Sequence, residues 1–357
     1  MKRFILISMF AALLAVGCNP NDGLDDPEDQ PPTEQGDGDN SDNTDDNTGD
    51  NTDDNPSDFP DDMELAFPDP IFREYILTNF DTDHDGKIST EEAKMVRDIN
   101  VEYRETIKSL EGIQYFINLT DLRCGNNQLT SLDMSNNTAL NYLRCDCNQL
   151  TNLDVSKNTA LTYLRCGSNQ LTSLDLSNNT ALTHLDCFNN QFTRLDVSHN
   201  TALTSLYCDD NQLTSLDVSK NTKLTTLECH NNQLTSLNVS NNTSLTRLFC
   251  RHNPLTSLDV SKNTKLTELD CEDNQLTNLD VSNNTVLTYL QCSDNKLTSL
   301  DLSNTNLGNN RTDTIPLGCS MKTLKTLYLK KGWDIPYITR NRNSLYIHDN
   351  TEIVFVD

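Results

Sequence analysis

From Asn127 onward, apolar and polar positions recur with a period that never slips. One unit, from Asn148, reads NQLTNLDVSKNTALTYLRCGS; another, from Asn211, reads NQLTSLDVSKNTKLTTLECHN. The opening Asn returns nine times, at Asn127, Asn148, Asn169, Asn190, Asn211, Asn232, Asn253, Asn274 and Asn295, with the same 21-residue spacing and no insertion between them. Leu140-x-x-Leu143-x-Cys145 and its equivalents mark one extended side pointing inward, and Leu129-x-x-Leu132-x-Met134 marks a second. A fixed period of roughly 20–29 residues predicts a solenoid, in which each unit buries its apolar face only against its neighbours. Such an array presents a long ordered surface rather than a pocket.

The invariant polar columns read as scaffold. Nine cysteines, from Cys124 to Cys292, share one place in the unit, with Cys147 and Cys319 outside that column. Stacked parallel strands set such side chains about 4.8 Å apart, which suits packing better than the near-perpendicular disulfide torsion. A ladder of buried thiols is therefore expected. The Asn opening each unit is expected to satisfy backbone groups where regular structure cannot. An Asp column (Asp133, Asp154 and onward) invites a metal reading, but one copy carries Asn238. Loss of the charge with retention of the acceptor favours a hydrogen-bonding role.

Upstream the period changes. Phe72, Tyr75, Ile76 and Phe80 lie near helical spacing, predicting a helix over Pro70–Phe80. The loop that follows, residues 81–92, reads DTDHDGKISTEE. Asp81, Asp83 and Asp85 take positions one, three and five of an EF-hand loop, Gly86 the sharp turn, Lys87 a carbonyl, Ser89 position nine and Glu92 the bidentate twelfth. Calcium is the expected ion, and Ser89 with Glu92 forms a capping box for an exit helix. A single such loop suggests a structural site rather than a signalling switch.

Charge separates the N-terminus from the rest. Of the formal net charge of −26, residues 19–62 supply 17 acidic side chains and no Lys or Arg. Their Asp, Asn, Thr, Gly and Pro content predicts a disordered, self-repelling tether. The start, MKRFILISMFAALLAVGC, pairs a basic end with an apolar run too short to span a bilayer. Gly17-Cys18 resembles a bacterial lipoprotein processing site, although Ala15 stands where Leu is usual. Lipidation of Cys18 is expected, and with it an outer-membrane lipoprotein exposed at the cell surface. The absence of a basic stripe argues against nucleic acid as a partner.

These elements together resemble the internalin J-like surface proteins: the 21-residue period, LxxLxCxxN with its Cys column, the NQLTSLDVS half, and Ile107–Ile113 leading into Leu119-Thr120-Asp121-Leu122. The resemblance implies an α/β-type solenoid, mostly β and irregular: a leucine-rich repeat array of 21-residue coils behind a small helical EF-hand cap. The segments expected are a signal peptide (1–17), tether (18–62), EF-hand cap (63–106), repeat array (107–310) and C-terminal cap (311–357). It also implies adhesion, with a protein or glycan on a host or neighbouring cell as partner; a monomer is the expected working form.

Recognition then falls to outward strand positions, expected on a concave face. The candidates are Arg123, Tyr142, Arg144, Tyr163, Arg165, His184, Tyr207 and Phe249. An Arg stripe beside tyrosines suits carboxylates, acidic glycans or an acidic protein loop. Competing readings are an accessory glycan-capture lipoprotein, with Tyr and Phe as stacking platforms, and a passive envelope structural protein. No enzyme is expected: the repeated Ser and Asp are framework, and the six histidines are scattered.

Overall fold

The computed structural model describes residues 65–104, 106–307, 317–333 and 351–357. The expected signal peptide, Cys18 and the acidic tether lie outside the described residues, as does much of the expected C-terminal cap. Helix α1 (Pro70–Phe80) starts where the side chain of Asp69 accepts from the Ile71 and Phe72 amides at 3.0 and 3.1 Å, with Pro70 pre-set for the first turn. Phe72 and Ile76 are its buried side chains, and Phe67 meets Phe72 edge-on at 5.8 Å. Helix α2 (Thr90–Met95) opens on the expected Ser89–Glu92 capping box.

Strands of three residues follow, one per coil: β1 (Asp98–Asn100), β2 (Asp121–Arg123), β3 (Tyr142–Arg144), β4 (Tyr163–Arg165), β5 (His184–Asp186), β6 (Ser205–Tyr207), β7 (Thr226–Glu228), β8 (Arg247–Phe249), β9 (Glu268–Asp270) and β10 (Tyr289–Gln291). With β12 (Leu317–Gly318) they form one parallel eleven-stranded sheet in chain order. The register stacks leucine on leucine, Leu143 on Leu164 and Leu164 on Leu185. Strands β11 (Ser299–Asp301), β13 (Thr326–Lys330) and β14 (Glu352–Val356) make a second parallel sheet.

The sheet overruns both ends of the expected array. Strand β1 lies within the segment read as a helical cap, and Val101 stands where later coils carry Cys: its amide donates to Arg123 O at 2.8 Å, as Cys124 N does to Arg144 O. At the far end Leu317 pairs with Leu290, so Cys319 extends the column beyond Cys292. Cys319 is thus a tenth rung rather than an outlier. An interval longer than 21 residues hides it in the sequence.

All ten of these cysteines are buried and free, as the ladder reading requires. Burial pushes the Cys145 and Cys166 thiols well above the usual range, and that of Cys319 up to about 12, so they serve as neutral filler. The Asn148 amide donates to the carbonyls of Cys124, Cys145 and Asp146 at 3.0–3.2 Å, while its Oδ1 accepts from Leu129 N at 2.9 Å. The ladder thus clasps the coil before it. The amide corresponding to Leu129 N one coil earlier is Lys108 N, and it donates to Asp69 Oδ2 at 2.9 Å. Asp69 caps α1 with one oxygen and joins that helix to the first coil with the other.

A second Asn column, from Asn137 to Asn284, forms a ladder of its own. Asn158, fully buried, donates to Met134 O and Asn137 O at 3.0 and 2.8 Å, and the pattern repeats through Asn284. The Asp column is a turn device: Asp154 Oδ1 accepts from Ser156 N at 2.9 Å, and Asn238 Oδ1 does the same for Ser240 at 3.0 Å. The residue before each ladder Asn is left-handed, from Asn126 (φ 56°) to Asp294 (φ 54°). Asn and Asp tolerate that conformation best, and Cys147, Ser168 and His252 depart from the type.

Candidate functional site: the strand face and the cap loop

The residues flanking each strand leucine point outward, and in-register pairing brings equivalent side chains into files. Tyr142 and Tyr163 stack at 4.3 Å between ring centroids with planes 11° apart, and Tyr163 and His184 at 4.3 Å and 8°. Tyr207 joins at 5.3 Å and 39° from His184. Arg123 Cζ sits 5.1 Å from the Tyr142 centroid at the head of the file. Stacked rings cover one another's faces and offer edges and hydroxyl groups. This corrects the expectation that Tyr142 and Tyr163 serve as flat platforms for sugar rings. Phe249 lies farther along, under the Arg247 guanidinium at 4.7 Å.

The arginine file is also changed by its surroundings. Arg144 Nε lies 3.2 Å from Glu102 Oε1 and 3.6 Å from Asp146 Oδ1, and Arg165 Nε lies 3.3 Å from both Asp146 and Asp186. Carboxylate and guanidinium alternate along the sheet as Glu102, Arg144, Asp146, Arg165, Asp186. Gly125 leaves room for this arrangement, since a Cβ there would stand 2.9 Å from Asp146 Oδ1. The Arg stripe is therefore a self-neutralised chain, not an open cationic patch awaiting a ligand carboxylate. Burial pushes the Asp186 carboxyl up to about 7, with Arg165 only partly opposing it. Asp121, paired with Arg123 at 2.9 Å, is raised by burial to about 6. The sequence reading misses Asp146 and Glu102, although Asp146 stands directly beside the ladder Cys145.

In the cap, Asp81, Asp83 and Asp85 bring one oxygen each within 4.8 Å of the others. Gly86 takes the left-handed turn (φ 83°) and its amide donates to Asp81 Oδ2 at 2.9 Å. The Asp85 amide donates to Asp81 and Asp83 at 3.2 and 3.1 Å. Glu92 is hydrogen-bonded at both ends of the loop. Its Oε1 accepts from Thr82 N and Oγ1 at 2.6 and 2.7 Å, and its Oε2 from Ser89 N and Oγ at 2.9 Å. Burial raises this carboxyl, but those donors outweigh it and hold the value at about 2. Glu92 and Ser89 thus tie the two ends of the loop together, apart from the aspartate cluster. Lys87 donates its amide to Asp85 Oδ1 at 2.8 Å.

Comparison with known proteins places this geometry. A leucine-rich repeat family model, two repeats long, matches residues 159–199. The functional domain of InlJ from Listeria monocytogenes, described as including a cysteine ladder, shares 43% identity at a TM-score of 0.65. The match covers 74% of this chain and 55% of that one, so the chain spans little more than half of that relative. This is an internalin-like leucine-rich repeat protein. A leucine-rich repeat protein of Leptospira interrogans is 25% identical at a TM-score of 0.56, over 68% of this chain and 62% of its own. The receptor-kinase ectodomain GASSHO1/SCHENGEN3 of Arabidopsis thaliana, 20% identical at 0.52 over 68% of this chain and 34% of its own, shares the fold. No curated protein matches in the sequence comparison. In this internalin-like chain, as in the InlJ domain, the cysteines form a ladder. Among the described residues no helix is long and apolar enough to cross a membrane.

Proposed function

We propose that this internalin-like chain is a lipid-anchored binding protein of the bacterial outer surface that takes a protein partner on the strand face of β2–β6. The observation carrying this reading is the ordered file Tyr142, Tyr163, His184, with Arg123 over its head. Aromatic and Arg side chains dominate the energetics of protein interfaces, and groups already fixed lose little freedom on binding. The ion-paired chain beside the file supplies that fixity. Ring edges and hydroxyl groups suit the polar loops of a protein better than the flat face of a sugar. Cys18 would carry the lipid, and the acidic stretch 19–62 would hold the array away from the membrane by self-repulsion.

Calcium completes the reading. Asp81, Asp83 and Asp85 converge around a left-handed Gly86, and a hard cation would relieve their mutual repulsion. Glu92 would join by rotating one oxygen away from Thr82. Since Asp69 and Asn127 tie the cap to the first coils, the ion would stiffen the start of the sheet. The test is binding of the chain from residue 19, labelled and without lipid, to panels of host and bacterial cells in calcium. Loss of binding with Tyr142→Ala and Tyr163→Ala together supports the strand-face assignment, and unchanged binding overturns it. Retention on a glycan array, abolished by the same pair, would replace the protein partner with a sugar.

A further inference from the structure

The strand face holds a second site with different chemistry. Asp209, Glu228 and His230 come from two neighbouring coils and are 8%, 7% and 7% exposed. One donor atom of each lies within 4.8 Å of the others. The geometry points to a site for a divalent transition-metal ion of the zinc class, bound by these two carboxylates and one imidazole, with a coordination position left for water or a partner side chain.

Three observations converge on it. First, the buried carboxylates elsewhere on this face have arginines: Asp146 and Asp186 meet Arg165 at 3.3 Å, and Asp270 meets Arg251 at 3.4 Å. Among the described residues Asp209 forms no ion pair with Lys or Arg; its partner is His230, Nε2 to Oδ2 at 3.4 Å. A buried carboxylate without a full counter-charge is strongly unfavourable, and a bound cation would supply one. Second, Glu228 Oε1 is buried and makes no hydrogen bond, with Arg247 Nη1 standing 3.8 Å away. Third, two ligands about 2.0–2.1 Å from a tetrahedral ion stand about 3.3–3.4 Å apart, which is the spacing of His230 Nε2 and Asp209 Oδ2.

The donor set selects the ion. Calcium takes six to eight oxygens, whereas one nitrogen and two carboxylates suit zinc, manganese or iron(II). The cap loop, all oxygen, makes the opposite selection, so the two sites can be loaded separately.

The experiment is titration of zinc chloride into the chain from residue 19 with calcium in excess, followed by calorimetry and thermal melting. Cobalt(II) then replaces zinc for its visible absorption. Parent protein should bind one zinc at this site, melt at a higher temperature with it, and give a cobalt d–d band. Asp209→Asn and His230→Gln, each close in size to the parent residue, should weaken zinc at least about tenfold while leaving the zinc-free circular dichroism spectrum unchanged. Asp81→Asn should bind zinc as the parent does. Equal zinc affinity in all four proteins, or no one-to-one binding by the parent, overturns the assignment. If a variant fails to fold, the parent's cobalt spectrum decides: no band, no site.

Discussion

Two stretches of one sheet face treat buried carboxylates in opposite ways. Around β3–β5 each carboxylate has a guanidinium within 3.2–3.6 Å, and the charges alternate from Glu102 to Asp186. Around β6–β7, Asp209 and Glu228 are also buried; Glu228 has Arg247 at 3.8 Å, whereas among the described residues Asp209 forms an ion pair with His230 and with no Lys or Arg. The backbone is the same in both, coil for coil, because the Leu, Cys and Asn columns are the same. What differs is the pair of residues either side of the ladder Cys. The scaffold thus fixes where side chains stand, and two positions per coil decide whether a coil closes its own electrostatics or needs something from outside.

Breaking the scaffold beneath both stretches should have the largest effect. Leu206→Ala removes a fully buried side chain between β5 and β7 and should cost about 2–5 kcal/mol in urea or thermal unfolding. Asn200→Ala, on the second ladder, deletes donors to Leu176 O and Asn179 O at 3.1 and 2.8 Å and strands two buried carbonyls. About 2–4 kcal/mol is expected, at about 1–3 for each acceptor left unpaired with some sharing.

The comparison itself is tested next. Arg165→Ala, measured above the Asp186 value of about 7 so that both carboxylates are ionised, leaves Asp146 and Asp186 without that counter-charge and should destabilise by about 2–4 kcal/mol. His230→Gln, measured without added metal, should cost under about 1 kcal/mol, the scale of one neutral contact, since no Arg–carboxylate pair is broken there. Equal losses would erase the distinction between the two stretches.

Asp186 also gives the comparison a pH signature. Its folded-state value of about 7 lies above its ordinary 3.8, so the folded chain holds a proton that the unfolded chain has released. That contribution is present below about pH 4 and is lost as pH rises towards 7. Asp186→Asn should flatten this part of the melting-temperature profile and raise stability near neutrality. An unchanged slope would show that Arg165 keeps the group ionised. A smaller change is expected in the cap: Asp81→Ala should melt as the parent does without calcium and lose the calcium-induced rise.

Much of this is legible in the sequence, for a physical reason. Every framework column repeats, so a role that is ambiguous at one residue becomes clear when nine coils share it. The Cys and Asp columns declare themselves as scaffold on that ground, and α1 and the capping box at Ser89 follow from local spacing. What escapes depends on neighbours in space. Cys319 joins the ladder through a coil of different length, and Val101 opens it without being a cysteine. The arginines look available because Asp146, one place past Cys145, is a partner only after the coils stack. Asp209, Glu228 and His230 are in the same position: each varies from its column, and only the register brings them together.

The most direct test of recognition by this face is a binding isotherm on a cell type that retains the parent chain. Single Tyr163→Ala protein should bind about ten- to thirtyfold more weakly, the range of an aromatic hot spot, with a stability loss of only about 1–3 kcal/mol from its two ring contacts. Parent-like affinity in a folded Tyr163→Ala protein would contradict the account and move the partner off the strand face.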